Sequence, residues 1–94
     1  MTPITVSCRP VGAGFTCAVT IGDDPAATHH QVDVEAADLE RLHPGAADPN
    51  ALVGAAFEFL LTREPRESIL RRFDLPVIGR YFPEYERSIQ TLLG

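Results

Sequence analysis

The sequence predicts an α+β fold, in which an N-terminal three-stranded antiparallel meander packs on a central helix and short C-terminal helices follow. Three observations carry that prediction. Through the first third of the chain, apolar and polar side chains alternate with period two, the pattern of strands with one solvated face. The stretch 49–63 is apolar around most of a helical circumference, which marks a helix covered on more than one side. Beyond it, Pro65, Pro76 and Pro83 divide the remainder into short segments of helical spacing, none long enough to be stable without packing.

In the first strand, 4–9, Ile4, Val6 and Cys8 share one face, and Thr5, Ser7 and Arg9 the other. In the second, 15–21, Phe15, Cys17, Val19 and Ile21 oppose Thr16, Ala18 and Thr20. A two-residue loop at Gly12-Ala13 is expected to form a type II′ turn, with glycine supplying the positive φ. That register pairs Ile4 with Ile21, Val6 with Val19 and Cys8 with Cys17, apolar against apolar at every rung. Gly22-Asp23-Asp24-Pro25 ends the second strand. The third spans about 28–35, with His30, Val32 and Val34 facing inward and His29, Gln31, Asp33 and Glu35 outward.

The second half supplies the cover that a one-sided sheet needs. A short helix is expected over 36–43 with Leu39 and Leu42 inward, stopped by Pro44-Gly45. Asp48 is the expected N-cap of the central helix 49–63, with Pro49 in its first turn. A further helix over 65–73 would place Ile69, Leu70 and Phe73 on one face and pair Glu67 with Arg71. A short turn through Val77, Ile78 and Tyr81 follows, and a last helix opens at Pro83, carrying Tyr85, Ile89, Leu92 and Leu93. Residues 1–94 make a single domain, with the sheet in 1–35 and the helical half in 36–94.

Composition narrows the function. The chain is 45% hydrophobic and 22% charged, with a net charge of −5, which suits a globular chain rather than a disordered one. No apolar run approaches the roughly 20 residues of a bilayer span, so no membrane association is expected. Met1-Thr2-Pro3-Ile4 has neither a basic region nor an apolar stretch, which points to a cytoplasmic protein without a signal peptide. Residues 1–50 hold seven acids against two arginines, whereas 51–94 hold six of each. An acidic chain lacks general attraction for phosphate backbones.

Cys8 and Cys17 are expected as reduced packing thiols. Two cysteines without a CxxC spacing do not make a zinc site. His29 and His30 point to opposite faces of a strand, and His29 lies about 13 Å from Asp33 along an extended chain. No metal site and no cofactor are expected. The chain contains no GxSxG, GxGxxG or GxxxxGK[ST] motif, and no convergent acid, base and nucleophile can be named. No catalytic residue is therefore assigned.

The tail carries an unusual apolar load for so small a domain, and Phe73, Tyr81, Phe82 and Tyr85 form the expected interaction surface. The leading expectation is a non-enzymatic protein-interaction or regulatory module acting through its helical C-terminal half, as a homodimer or with a partner protein. The alternative is a small nucleic-acid-associated regulator using Arg63, Arg66, Arg71, Arg72 and Arg80. The third is an enzyme or small-ligand binder on the outer sheet face.

Overall fold

The computed structural model describes residues 2–93. Strands β1 (Ile4–Val11), β2 (Gly14–Ile21) and β3 (Thr28–Glu35) form the antiparallel meander. Ile4 pairs with Ile21, Val6 with Val19 and Cys8 with Cys17, the expected register. Gly12 has φ of 57° and Ala13 stays at negative φ, as a type II′ turn requires. Along β3, Thr28, His30, Val32 and Val34 are buried while His29 and Glu35 are exposed. Pro10 is accommodated because β1 lies at the sheet edge.

Helix α1 (Ala36–Leu42) buries Leu39 and Leu42. The central helix α2 (Asn50–Leu61) starts one residue later and ends two earlier than expected. The N-cap is Pro49 and not the expected Asp48, because the helix starts one residue later. The Asp48 carboxylate, just before the cap, still accepts a hydrogen bond from the Asn50 backbone N–H at 3.0 Å. At the other end, the N–H groups of Arg63 and Glu64 donate to the Leu60 carbonyl, both at 2.9 Å. Two aromatics on opposite sides of α2 explain why its apolar surface is so wide. Phe57 faces the sheet, with ring centroids 5.4 Å from His30 and 6.0 Å from Phe73. Phe59 faces the C-terminal helices, 5.8 Å from Phe82 and 5.5 Å from Tyr85.

The segment 65–73 corrects the sequence reading. It is not a helix. A single 3₁₀ turn (Arg66–Ser68) leads into an extended stretch, and strand β4 (Arg72–Asp74) pairs in parallel with β3. The sheet therefore has four strands in the order β1-β2-β3-β4, and the helical half contributes one of them. Ile69 is buried, but Leu70 is 48% exposed instead of sharing its face. Glu67 bonds Arg66 at 3.3 Å, so the expected pair with Arg71 does not form.

The reason lies in long-range backbone bonding. Gln31 N–H donates to the Arg71 carbonyl at 2.8 Å and Leu75 N–H to the Asp33 carbonyl at 3.0 Å. The buried His30 adds a third tie, its Nδ1–H donating to the Leu70 carbonyl at 2.8 Å, while the Thr28 hydroxyl donates to Nε2 at 2.9 Å. These bonds satisfy the edge of β3, which a surface helix would leave open. Phe73 gains a place in the inner layer beside Val32, its register partner.

Helix α3 (Val77–Tyr81) follows, then α4 (Tyr85–Leu93). The last helix begins two residues after Pro83 and buries Tyr85 and Ile89, while Leu92 stays 51% exposed.

The cysteines also correct the expectation of reduced thiols: Cys8 and Cys17 form a disulfide across β1 and β2. They sit opposite each other with Cα atoms 4.0 Å apart, in the closer of the two antiparallel pair types. Once the turn sets the register, the sulfurs have little choice of neighbour. A bond of this kind persists in oxidising surroundings.

Candidate interaction surface

The connection that carries Phe73 into the sheet also opens a groove. It lies between the C-terminal end of α2, the segment 68–73, and α3, and encloses about 250 Å³. Leu60, Ile69, Phe73, Val77, Ile78 and Phe82 line it, with Glu64 and Ser68 as its polar members. Leu70 and Tyr81 complete the lining and stand 48% and 67% exposed. The groove lies where the chain leaves the 3₁₀ turn, with Ile69 extended, and enters β4 at Arg72.

Three of the four side chains expected on the interaction surface meet here: Phe73, Tyr81 and Phe82. Tyr85 does not, and its assignment to a surface is corrected. Its ring is fully buried against Phe59 in the core of the chain. The same burial pushes its phenol well above the ordinary tyrosine range, with Glu86 adding to the shift, and the hydroxyl has no hydrogen-bond partner among the described residues. Leu70 is the residue the sequence missed. Its helical spacing from Phe73 suggested burial, and only the extended backbone exposes it.

The five arginines of the nucleic-acid reading do not form one surface. Arg63 bonds Glu84 at 3.2 Å and lies 4.6 Å above the Phe59 ring. Arg66 is pinned between Asp24, Glu67 and the Ile21 carbonyl, which ties the 3₁₀ turn to the end of β2. Arg80 lines a hollow with Asp33, Glu35, Asp38 and Asp74. Only Arg71 and Arg72 reach the outer sheet face, in two adjoining hollows.

Among the described residues, no group of three or more His, Cys, Asp and Glu side chains is placed to hold a metal ion. No described helix is long and apolar enough to cross a membrane. Compared with known proteins, the chain matches no family model, no curated protein and no solved structure.

Proposed function

We propose that the protein is a non-enzymatic interaction module that joins a second copy of itself through the groove beside α3. One observation carries this reading. Leu70 and Tyr81, two of the four large apolar side chains exposed among the described residues, stand on the same hollow. The other two, Val11 and Leu92, lie on β1 and α4, and isolated apolar side chains of that kind are ordinary.

A second copy suits the site because the surface is self-complementary. Each protomer offers a ridge, Tyr81, directly beside a hollow. A cavity of roughly 150 Å³ already admits a benzene ring, so a groove of about 250 Å³ has room for a phenol. A two-fold axis beside Tyr81 would let each ring enter the partner's groove, the isologous arrangement of most dimers. The lining carries a single charge, Glu64, in keeping with the charge-poor centres of protein interfaces.

Sedimentation equilibrium at micromolar concentration tests the proposal. The wild type is expected to run as a dimer, and Leu70→Ser/Tyr81→Ser as a monomer with an unchanged fold. A monomeric wild type across that range sinks the proposal, as does a dimer that ignores the double change. Tyr85 is left intact in this experiment because replacing it would disturb the core.

A further inference from the structure

The outer face of the sheet carries a second, independent site. We propose that the depression around Gln31 binds a small phosphate-bearing anion. Arg9 from β1, His29 from β3 and Arg71 from the approach to β4 line it, and Ser7, Thr16 and Gln31 complete a shallow hollow of about 460 Å³. Strand pairing brings them together: Ser7 stands opposite Ala18, Ala18 opposite Gln31, and Arg9 opposite Thr16.

The charge distribution supports an anion. The chain has 13 acids against 8 arginines, and five of those arginines, Arg9, Arg71, Arg72, Arg80 and Arg87, make no ion pair among the described residues. Arg41, Arg63 and Arg66 are all paired. Of the other five, Arg9 and Arg71 share a hollow that no carboxylate lines, although Arg9 also borders the adjoining hollow with Asp33, Glu35 and Asp74. Arg72, Arg80 and Arg87 line hollows that hold acids. Four other hollows on the surface each include at least one acid. The nearest competitor, Asp33, accepts the Thr16 hydroxyl at 2.9 Å and belongs with Asp74 and Arg72 to the adjoining hollow.

The donor set selects phosphate over a carboxylate. One guanidinium fork is enough for a planar carboxylate. Two forks from different segments of the chain, an imidazole, the Ser7 hydroxyl and an amide suit a tetrahedral dianion with several acceptor oxygens. His29 accepts or donates at Nδ1 with the Thr20 hydroxyl at 3.2 Å, which turns the ring while leaving Nε2 for a ligand. No Phe or Tyr stands on this face, so it lacks the stacking platform of a single-stranded nucleic-acid binder. The site recognises the phosphate group and not a base.

The test is an NMR titration at neutral pH with three probes: inorganic phosphate, adenosine monophosphate and a phosphoserine peptide. Saturable shifts are expected at the Arg9 and Arg71 Nε–H groups and the His29 ring for every probe that reaches the site. Affinity for inorganic phosphate should fall roughly tenfold or more in Arg9→Gln/Arg71→Gln, two charge-assisted contacts being lost. It should be unchanged in Arg87→Gln, an exposed arginine on α4. Tighter binding of the nucleotide or the peptide that also collapses in the double variant identifies which source of phosphate the site prefers. Shifts that do not saturate, that spread evenly over all arginines, or that survive the double change overturn the proposal. The unfolding midpoint of each variant separates lost binding from lost structure.

Discussion

Two stretches of this chain have a similar share of apolar residues, yet they obey different rules. Residues 4–35 fold as their own alternation dictates, down to the pairing of Cys8 with Cys17. Residues 65–83 follow none of their local spacing until α3: the helical pattern of Ile69, Leu70 and Phe73 gives way to a 3₁₀ turn and a parallel strand. In a hairpin the turn and the side-chain pattern agree, and the partner strand lies two residues away. In 65–83 the partner is β3, about forty residues distant, and the bonds that decide the outcome join backbone atoms. Local spacing governs where the competing contacts are local. Where a distant sheet edge is open, satisfying its N–H and C=O groups outweighs the few tenths of a kcal/mol that a helical ion pair supplies.

The largest expected effect comes from the side chain that touches both regions. Phe57 packs on His30 in β3 and on Phe73 in β4 and is fully buried. Phe57→Ala should cost about 3–5 kcal/mol in chemical denaturation. Hydrogen exchange should rise first in Arg72–Asp74, while the hairpin amides keep more of their protection. Equal loss in both places would mean that the two regions are a single cooperative unit and the contrast drawn above is false.

Next comes the disulfide. Cys8 and Cys17 are 9 residues apart in sequence, and closing so short a loop stabilises by about 2.5 kcal/mol in the chain-entropy account. A reductant, or Cys8→Ala/Cys17→Ala, should lower stability by that amount while leaving the strand register intact in cross-strand NOE contacts. A slipped register after reduction would show that the sulfurs, and not the alternation, align the hairpin.

His30 sharpens the comparison because it is the link between the regions. Burial holds its pKa below the ordinary 6.5, Arg71 and His29 push the same way, and the Leu70 hydrogen bond opposes them. The unfolded chain therefore takes up the proton first as pH falls. The stabilisation is complete above about pH 6.5 and is lost as pH drops through that value toward the lower, folded pKa. His30→Leu should remove this slope. At neutral pH it should cost about 1–3 kcal/mol, because the Leu70 carbonyl loses its donor. An unchanged slope would place the titration elsewhere.

The smallest effect tests the turn. Gly12 is at φ 57°, and a Cβ built there meets nothing within 4 Å. Gly12→Val should therefore cost only the backbone penalty, roughly 1–2 kcal/mol. A cost near zero would mean that the turn relaxes without disturbing the register.

Much of the groove was legible in the sequence, but its cause was not. Phe73, Tyr81 and Phe82 announced themselves as apolar load with no obvious cover. Tyr85 carried the same signal and went the other way, because α4 turns its first residue onto Phe59. Leu70 was hidden by a spacing that resembled a helix. His30 was the one overlooked clue: a polar side chain predicted to face inward needs a buried partner, and that partner was the carbonyl of Leu70.

By itself the sequence determined the three antiparallel strands, their register, the Gly12-Ala13 turn and the two-sided central helix. Each follows from side-chain periodicity or turn chemistry, which act within a few residues. The tertiary structure alone decided β4, the exposure of Leu70, the burial of Tyr85 and the arrival of Arg71 beside Arg9 and His29 on the outer face. A three-residue parallel strand is too short to show a period. Its energy comes from backbone groups that every residue shares, so only the assembled sheet edge selects it.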